Sequence, residues 1–251
     1  MAEVIGPSCQ CGVGTLPDVQ VATVRSITRY PVKSMAGEDL VRVQLDARGL
    51  VGDRALAVQT ADGGLGSGKN TRRFRRVVGL RHATARLLDD GRVRLQLPDA
   101  TVVGSDDSDV DARLSAWLGQ PVHLVRESAV SHFDEAGLHL LTTASLAAVH
   151  ERSGVRLDPR RARANLVLDT PAAGFTEDGW LGADLRIGGA VVRVSAPMPR
   201  CDMVNQAGAG LVGERGLLRV LGDVHDADLG VIASVRTPGV VTLGDAVELI
   251  D

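Results

Sequence analysis

The amino-acid sequence predicts a mainly β protein with a few helices, an α+β chain whose strands curve into barrels. Three observations carry that expectation. Short runs rich in Val, Ile, Thr and Leu follow one another closely, and glycine turns punctuate them. Helical spacing of apolar residues is confined to short segments such as Val110 to Leu118. The chain is 44% hydrophobic but only 2% aromatic, so its core must be aliphatic, mostly Val, Leu and Ala. At 251 residues it is one large domain or two small ones.

Val21 to Tyr30 is β-branched at Val21, Thr23, Val24, Ile27 and Thr28, and predicts a strand that ends at Pro31. A turn-rich loop, Val32 to Glu38, follows. Leu40 to Leu45 predicts a second strand with Val41, Val43 and Leu45 on one face. Gly49 to Arg54 is a glycine-punctuated turn, and Ala55 to Gln59 a third strand. Strands this short and this close argue for a barrel or a strongly curved sheet. Val93 to Leu97 is the clearest strand of the next stretch, between turns at Asp90-Gly91 and Pro98-Asp99. Val110, Leu114, Trp117 and Leu118 fall at helical spacing with Gly119 just beyond, which predicts a helix over Val110 to Leu118. Val122 to Val125 is another strand.

The polar stretch Arg126 to Gly137 is the candidate junction between two units, residues 21–128 and 129–251. Beyond it, Leu138 to Leu141 predicts a buried strand. Thr142 or Thr143 caps a helix over Ala144 to Arg152 that Gly154 closes. Asn165 to Asp169 is a strand, and Leu185 to Val194 a β-patterned run. Ala207 to Glu214 reads as flexible. Leu229 to Val235, Val240 to Leu243 and Val247 to Ile250 complete the β pattern.

The composition excludes several classes. A net charge of −3 gives no general reason to expect nucleic acid or an anionic membrane. No apolar run is long enough to span a bilayer. Residues 1–20 lack a basic and apolar leader pattern and read as a disordered arm, so the expected location is cytoplasmic. Three cysteines, Cys9, Cys11 and Cys201, make a disulfide framework unexpected. Cys9-x-Cys11 is two ligands short of a closed tetrahedral metal site. Of 28 basic residues only Lys33 and Lys69 are lysines, and both sit in turn-rich loops.

Two stretches invite a chemical reading. Gly63 to Lys69 fits the spacing of a phosphate loop, but Asn70 stands where the magnesium-binding hydroxyl belongs, and no long buried strand precedes it. It reads as a basic, glycine-rich loop whose arginines, Arg72, Arg73, Arg75 and Arg76, could edge an anion pocket. The second stretch is Val194 to Met203. Pro197 and Pro199 are expected to stop ladder pairing and stiffen the backbone. Cys201 then stands between Arg200 and Asp202. A thiol there is a soft metal ligand, a nucleophile, or a buried and inert side chain.

Read in order, Tyr30-Pro-Val-Lys33-Ser34-Met-Ala-Gly37, Gly49-Leu-Val-Gly52-Asp53-Arg54, Arg163-Ala-Asn165, Glu177-Asp-x-Trp180 and Pro199-Arg200-Cys201 form a set. The set resembles the MOSC family, proteins related to the C-terminal domain of molybdenum cofactor sulfurase. Over residues 21–250 the chain looks most like bacterial relatives of the mitochondrial amidoxime-reducing component. The resemblance implies a MOSC-type β-barrel preceded by an N-terminal β-barrel region, and it implies molybdenum-cofactor binding. On that basis Lys33, Ser34, Arg54, Arg163, Asn165 and Arg200 are cofactor-binding candidates. Cys201 is the metal-ligating and catalytic candidate, and Asp202, Glu135 or a histidine the proton source.

The implied reaction is reduction of an N-hydroxylated small molecule. Three cysteines are too few for a four-cysteine iron–sulfur cluster, so electrons are expected from a separate iron–sulfur or flavin protein. Two other roles stay open: Cys201 as a sulfur carrier or nucleophile in cofactor sulfuration or a biosynthetic pathway, and a non-catalytic cofactor carrier. The sequence departs from the resembled pattern at Met35, where a cysteine is frequent, and at Met203 to Gln206. It departs again at Asp134-Glu135-Ala136-Gly137, where a Thr-Ser or Ala-Ser pair is common.

Overall fold

The computed structural model describes residues 19–135 and 137–250. Cys9, Cys11 and the expected arm up to Asp18 lie outside the described residues. Val19 and Gln20 are not part of an arm: they open the first strand, β1 (Val19–Arg29), opposite Leu249 and Glu248. β1 ends just before Tyr30-Pro31, where proline removes a ladder donor. β2 (Glu38–Leu40), β3 (Arg42–Asp46) and β4 (Gly49–Leu50) follow. The one strand expected over Leu40 to Leu45 is broken at Val41. There the chain leaves the edge of β1 and joins another sheet, so Val41 is 69% exposed while Val43 and Leu45 are buried.

Six short strands come next: β5 (Leu56–Thr60), β6 (Leu65–Ser67), β7 (Phe74–Arg76), β8 (Thr84–Leu87), β9 (Val93–Gln96) and β10 (Val102–Gly104). The chain runs from Lys69 into β7 and opens no helix there, so the phosphate-loop spacing has no matching architecture. Helix α1 (Val110–Leu118) forms where its spacing predicts, buries Leu114 and closes on Gly119 at φ 67°. β11 (Val122–Arg126) then pairs with β5.

β12 (Leu138–Thr142) leads into α2 (Thr143–Ser153). The Thr142 hydroxyl accepts the Ser145 N–H, and Gly154 at φ 74° ends the helix. β13 (Leu166–Asp169) follows. The run expected as one β segment is a hairpin, β14 (Asp184–Ile187) and β15 (Ala190–Pro199), turning at Gly188-Gly189. Helix α3 (Leu217–His225), in a stretch to which the sequence reading assigns no element, buries Leu217 and Leu221. β16 (Asp228–Thr237), β17 (Gly239–Thr242) and β18 (Ala246–Ile250) complete the fold.

Seven strands close into a barrel in the order β1-β13-β12-β16-β15-β14-β18 and back to β1, with β2 flanking β1. Only β12 and β13 run parallel; the other barrel pairs are antiparallel. The long strand β1 makes closure possible. Its first half pairs with β18 and its second half with β13. The barrel core is aliphatic, as the composition requires, with Val24, Ile27, Leu140, Leu166, Val192 and Val231 among its members. A second core, including Val32, Met35, Leu56, Leu80, Leu95 and Leu114, holds the sheets β11-β5-β6-β7 and β10-β9-β8 together. The early strand β3 pairs with the late strand β17, so Val43 and Leu45 belong to the barrel core.

Pro197 and Pro199 do not stop pairing. β15 runs through both, and its ladder with β16 extends to Pro199 opposite Asp228. The register slips between Val194 and Ala196 and again between Pro197 and Pro199. Bulges of this kind accommodate residues that cannot donate to a ladder. The strand therefore delivers Arg200 and Cys201 directly from the barrel wall. Among the described residues, no helix is long and apolar enough to cross a membrane.

Candidate functional site

Six loops meet at one cleft of about 160 Å³. The segment after β1 brings Lys33 and Ser34, and the β4–β5 turn brings Arg54. Lys69 comes from the β6–β7 loop, and Phe133, Asp134 and Glu135 from the β11–β12 connection. Arg163 and Asn165 precede β13, and Arg200 and Cys201 follow β15. All of the sequence-predicted site residues except Asp202 line this cleft.

Three of those residues hold a backbone conformation that L side chains avoid. Ser34, Arg54 and Arg163 have φ of 67°, 50° and 55°. Left-handed conformation at such residues costs of order 1–3 kcal/mol and persists only where surroundings enforce it. Here they do. The Arg54 N–H donates to the Tyr30 carbonyl at 2.6 Å, the Ser34 hydroxyl to the Gly66 carbonyl at 3.3 Å, and the Arg163 N–H to the Arg160 carbonyl at 3.3 Å.

Arg54 pairs with Asp53, and the pair is not on the surface. Asp53 is 0% exposed, and its carboxylate also accepts the Tyr30 N–H at 2.7 Å and the Asn165 amide at 3.1 Å. Buried carboxylates require such saturation. Asn165 is spent in the same network, because its oxygen accepts the His139 N–H at 3.1 Å. It braces the loops rather than presenting a free amide. Beneath Arg54 and Arg163 lies the Tyr30 ring, 4.9 and 4.1 Å from the two guanidinium carbons.

Lys33 is only 3% exposed. Its ammonium donates to Asp134 at 2.7 Å and sits 4.1 Å above the Phe74 ring. Burial lowers it from its ordinary value to about 8 despite Asp134, and Arg54 and Arg163 push the same way. The ammonium of Lys69 is 3.8 Å from the other Asp134 oxygen and 5.6 Å from the same ring. Burial opposes ionisation of Asp134, but Lys33 and Lys69 outweigh it and hold the carboxyl below its usual range. The chain's two lysines thus face one carboxylate in one cleft, which only their rarity hinted at in the sequence.

Arg163 donates to the Met35 carbonyl and Arg200 to the Ala162 carbonyl, each at 2.7 Å. Burial pulls Arg163 down to about 9 and Arg200 to about 10, and Arg54 lowers both further. Each keeps a buried nitrogen, Nη2 of Arg163 and Nε of Arg200, with no hydrogen-bond partner among the described residues. A buried donor left unsatisfied costs about 1–3 kcal/mol, so both atoms call for an acceptor from a ligand.

Cys201 is a free, partly exposed thiol beside them. Asp202 turns away: it is exposed, and its carboxylate accepts from Asn205 at 2.8 Å and Gln206 at 3.3 Å. His139 does line the cleft. Its Nε2 is 3.0 Å from the Leu229 carbonyl, and burial pulls it down to about 3, so it is a neutral donor to that carbonyl.

The profile of the MOSC domain matches residues 119–248, just over half of the chain, and that of the MOSC N-terminal beta barrel domain matches residues 21–143. The chain belongs to the MOSC family. That family is associated with molybdenum-cofactor binding and sulfuration. No curated protein matches this MOSC chain. Distant likenesses to solved structures include the YUAD protein from Bacillus subtilis, with 12% identity over 91% of this chain and 95% of its own and a TM-score of 0.47. YiiM from Geobacillus stearothermophilus shares 17% identity over 70% of this chain and 75% of its own, with a TM-score of 0.38. YiiM from Escherichia coli shares 21% over 46% and 54%, with a TM-score of 0.35.

The residues present fit the cofactor that the family implies. Lys33, Arg54, Lys69, Arg163 and Arg200 set five cations around the cleft against Asp134 and Glu135, which suits a phosphate-bearing pterin. The two unpartnered guanidinium nitrogens offer donors to its polar edge. Among the described residues no group of three His, Cys, Asp or Glu is placed to hold a metal ion. A metal at Cys201 would bring its remaining ligands with it, as a dithiolene-bound metal does.

Proposed function

We propose that this MOSC protein holds a molybdenum cofactor in the cleft and reduces N-hydroxylated small molecules, with Cys201 as the protein thiolate on the metal. The observation that carries the reading is the convergence of a free thiol with two buried guanidinium nitrogens that lack partners. When bound, the cofactor supplies two-electron chemistry at an oxygen atom. In the overall reaction the N–O bond breaks and the oxygen leaves as water. Two electrons come from a separate iron–sulfur or flavin protein, and two protons come from solvent through the cleft.

The chain's own residues position and neutralise. Lys33, Arg54, Arg163 and Arg200 hold negative charge, and the Asp53–Asn165–Tyr30 network fixes where Arg54 points. Cys201, at the end of a strand paired through Pro199, is held against the barrel wall. Of the proton sources that the sequence offered, Glu135 lines the cleft. Asp202 does not, and His139 is tied to Leu229.

The test is expression in a host that makes molybdenum cofactor, followed by metal and oxidised-pterin analysis beside a Cys201→Ala variant. Near-stoichiometric molybdenum and pterin in the wild type are expected, with molybdenum lost and pterin kept in Cys201→Ala. Amidoxime reduction driven by a reduced viologen is expected to disappear with the molybdenum. Undiminished reduction by Cys201→Ala would sink the reading. A folded protein with neither molybdenum nor pterin, and a thiol that alkylates rapidly, would favour a sulfur-carrying Cys201 instead.

A further inference from the structure

Asp134 opens the stretch that departs from the resembled pattern, and it does something a hydroxyl cannot. Its two oxygens face the only two lysines of the chain, Lys33 at 2.7 Å and Lys69 at 3.8 Å. Both ammonium groups also lie over one face-forming ring, Phe74. Two cations converging on two oxygens of one planar group is the arrangement that would receive a phosphate.

The loop that carries Asp134 is clamped by its backbone. Arg73 donates to the carbonyls of Ser131 and Phe133, and the His132 ring donates to the Arg54 carbonyl at 3.0 Å. The Arg48 guanidinium pairs with Glu127 and stacks 4.3 Å from the Phe133 ring. Among the described residues the Asp134 carboxylate itself is held only by the two lysines, and its side chain is 32% exposed. It can therefore swing into solvent without moving the loop.

We propose that Asp134 is an internal counter-anion seated in a two-lysine phosphate site, and that the phosphate monoester of the cofactor binds there by displacing it. The exchange keeps Lys33 from standing buried and unpaired before loading, a state that burial makes costly. It also sets the affinity: the incoming phosphate must compete with a tethered carboxylate already in place. Lys69 thereby gains a role, as the more exposed half of the seat that meets the ligand first.

This inference rests on the proposed cofactor only for the identity of the phosphate carrier, and its test does not read turnover. Inorganic phosphate is titrated calorimetrically into the full-length chain purified from a host unable to make the pterin. Asp134→Asn is expected to bind phosphate on the order of tenfold more tightly than wild type, since a like charge next to the ligand is gone. Adding Lys69→Gln to Asp134→Asn is expected to cancel that gain. If Asp134→Asn does not fold, Asp134→Ser, which carries a hydroxyl, serves in its place.

In a cofactor-producing host, the Asp134 variant is expected to retain more pterin per chain through purification than wild type. Phosphate affinity unchanged by removing the carboxylate, or a gain that survives Lys69→Gln, would overturn the seat. Tighter phosphate with unchanged pterin retention would overturn its assignment to the cofactor. Molybdenum and pterin can be present while the seat fails, and the seat can hold while Cys201 binds no metal, so the two ideas fall separately.

Discussion

Lys33 carries its charge where burial works against it. The ordinary lysine value of 10.5 falls to about 8 because the ammonium is desolvated, and Asp134 only partly offsets this. Below pH 8 the side chain is protonated in both the folded and unfolded chain. Between about 8 and 10.5 the unfolded chain binds the proton more tightly, so folding stability rises with pH through that window. Wild type is therefore expected to gain up to roughly 3 kcal/mol relative to Lys33→Met over that range. Urea unfolding at stepped pH measures it, and parallel pH profiles for the two proteins would refute it. The same proton is the one an anionic ligand needs, so stability and ligand affinity pull in opposite directions at this residue.

Several single residues were readable from sequence because their chemistry is rare in their context. Lys33, Arg54, Arg163, Arg200 and Cys201 stood out by type and order, and they share one cleft. Asp202 was misplaced because adjacency to Cys201 in sequence is not adjacency in space. Asp202 begins a tight turn of 3-10 helix, and its short carboxylate accepts from the side-chain amides of Asn205 and Gln206 instead of facing the cleft. The burial of Asp53 beside Arg54 has no mark in the sequence, since nothing local distinguishes an exposed Asp-Arg pair from a fully buried one.

At the scale of elements, the β11–β12 connection matters most, because it carries Phe133, Asp134 and Glu135 to the cleft. Sequence marked it as a polar junction, with Glu135 a proton-source candidate, and showed nothing of what holds it in place. What fixes it is a crossing of two glycines: Gly137 lies against the Arg48 carbonyl, and Gly49, at φ 125°, lies against the Gly137 carbonyl. A methyl at Gly137 would collide with the Arg48 backbone oxygen, which is not the end of a flexible side chain and cannot move aside cheaply. Gly137→Ala is expected to destabilise the protein by about 1–3 kcal/mol. It is also expected to raise the protease sensitivity of residues 127–135. An unchanged melting temperature would show that the two backbones can separate freely. Helix α3 was overlooked for a related reason. Its apolar residues point onto α2 and the barrel, and a nine-residue amphipathic segment after a glycine-rich stretch is short evidence for a helix.

For the whole molecule, chain order and spatial order differ. β1 lies at one end of the described chain, yet it closes the barrel between β13 and β18, and it supplies Ala22, Val24 and Ile27 to the core. β3 likewise needs β17. The strand pattern and the barrel were legible in sequence, because alternation and turn spacing are local. The pairing of residues 19–29 with 166–169 and 246–250 was not, because strand partners are chosen by a core that only the assembled sheet defines. The cleft inherits this arrangement: Lys33, Arg54 and Lys69 come to it from the first half of the chain, and Arg163, Arg200 and Cys201 from the second. Expressed separately, residues 19–128 and 129–250 are therefore expected not to fold. The second fragment would expose two unpaired barrel edges and the apolar faces that β1 covers. Co-expression should restore a soluble complex with one cooperative thermal transition. A soluble 129–250 fragment that unfolds cooperatively by itself would show that the barrel can close without β1, and that the shared cleft joins units able to fold independently.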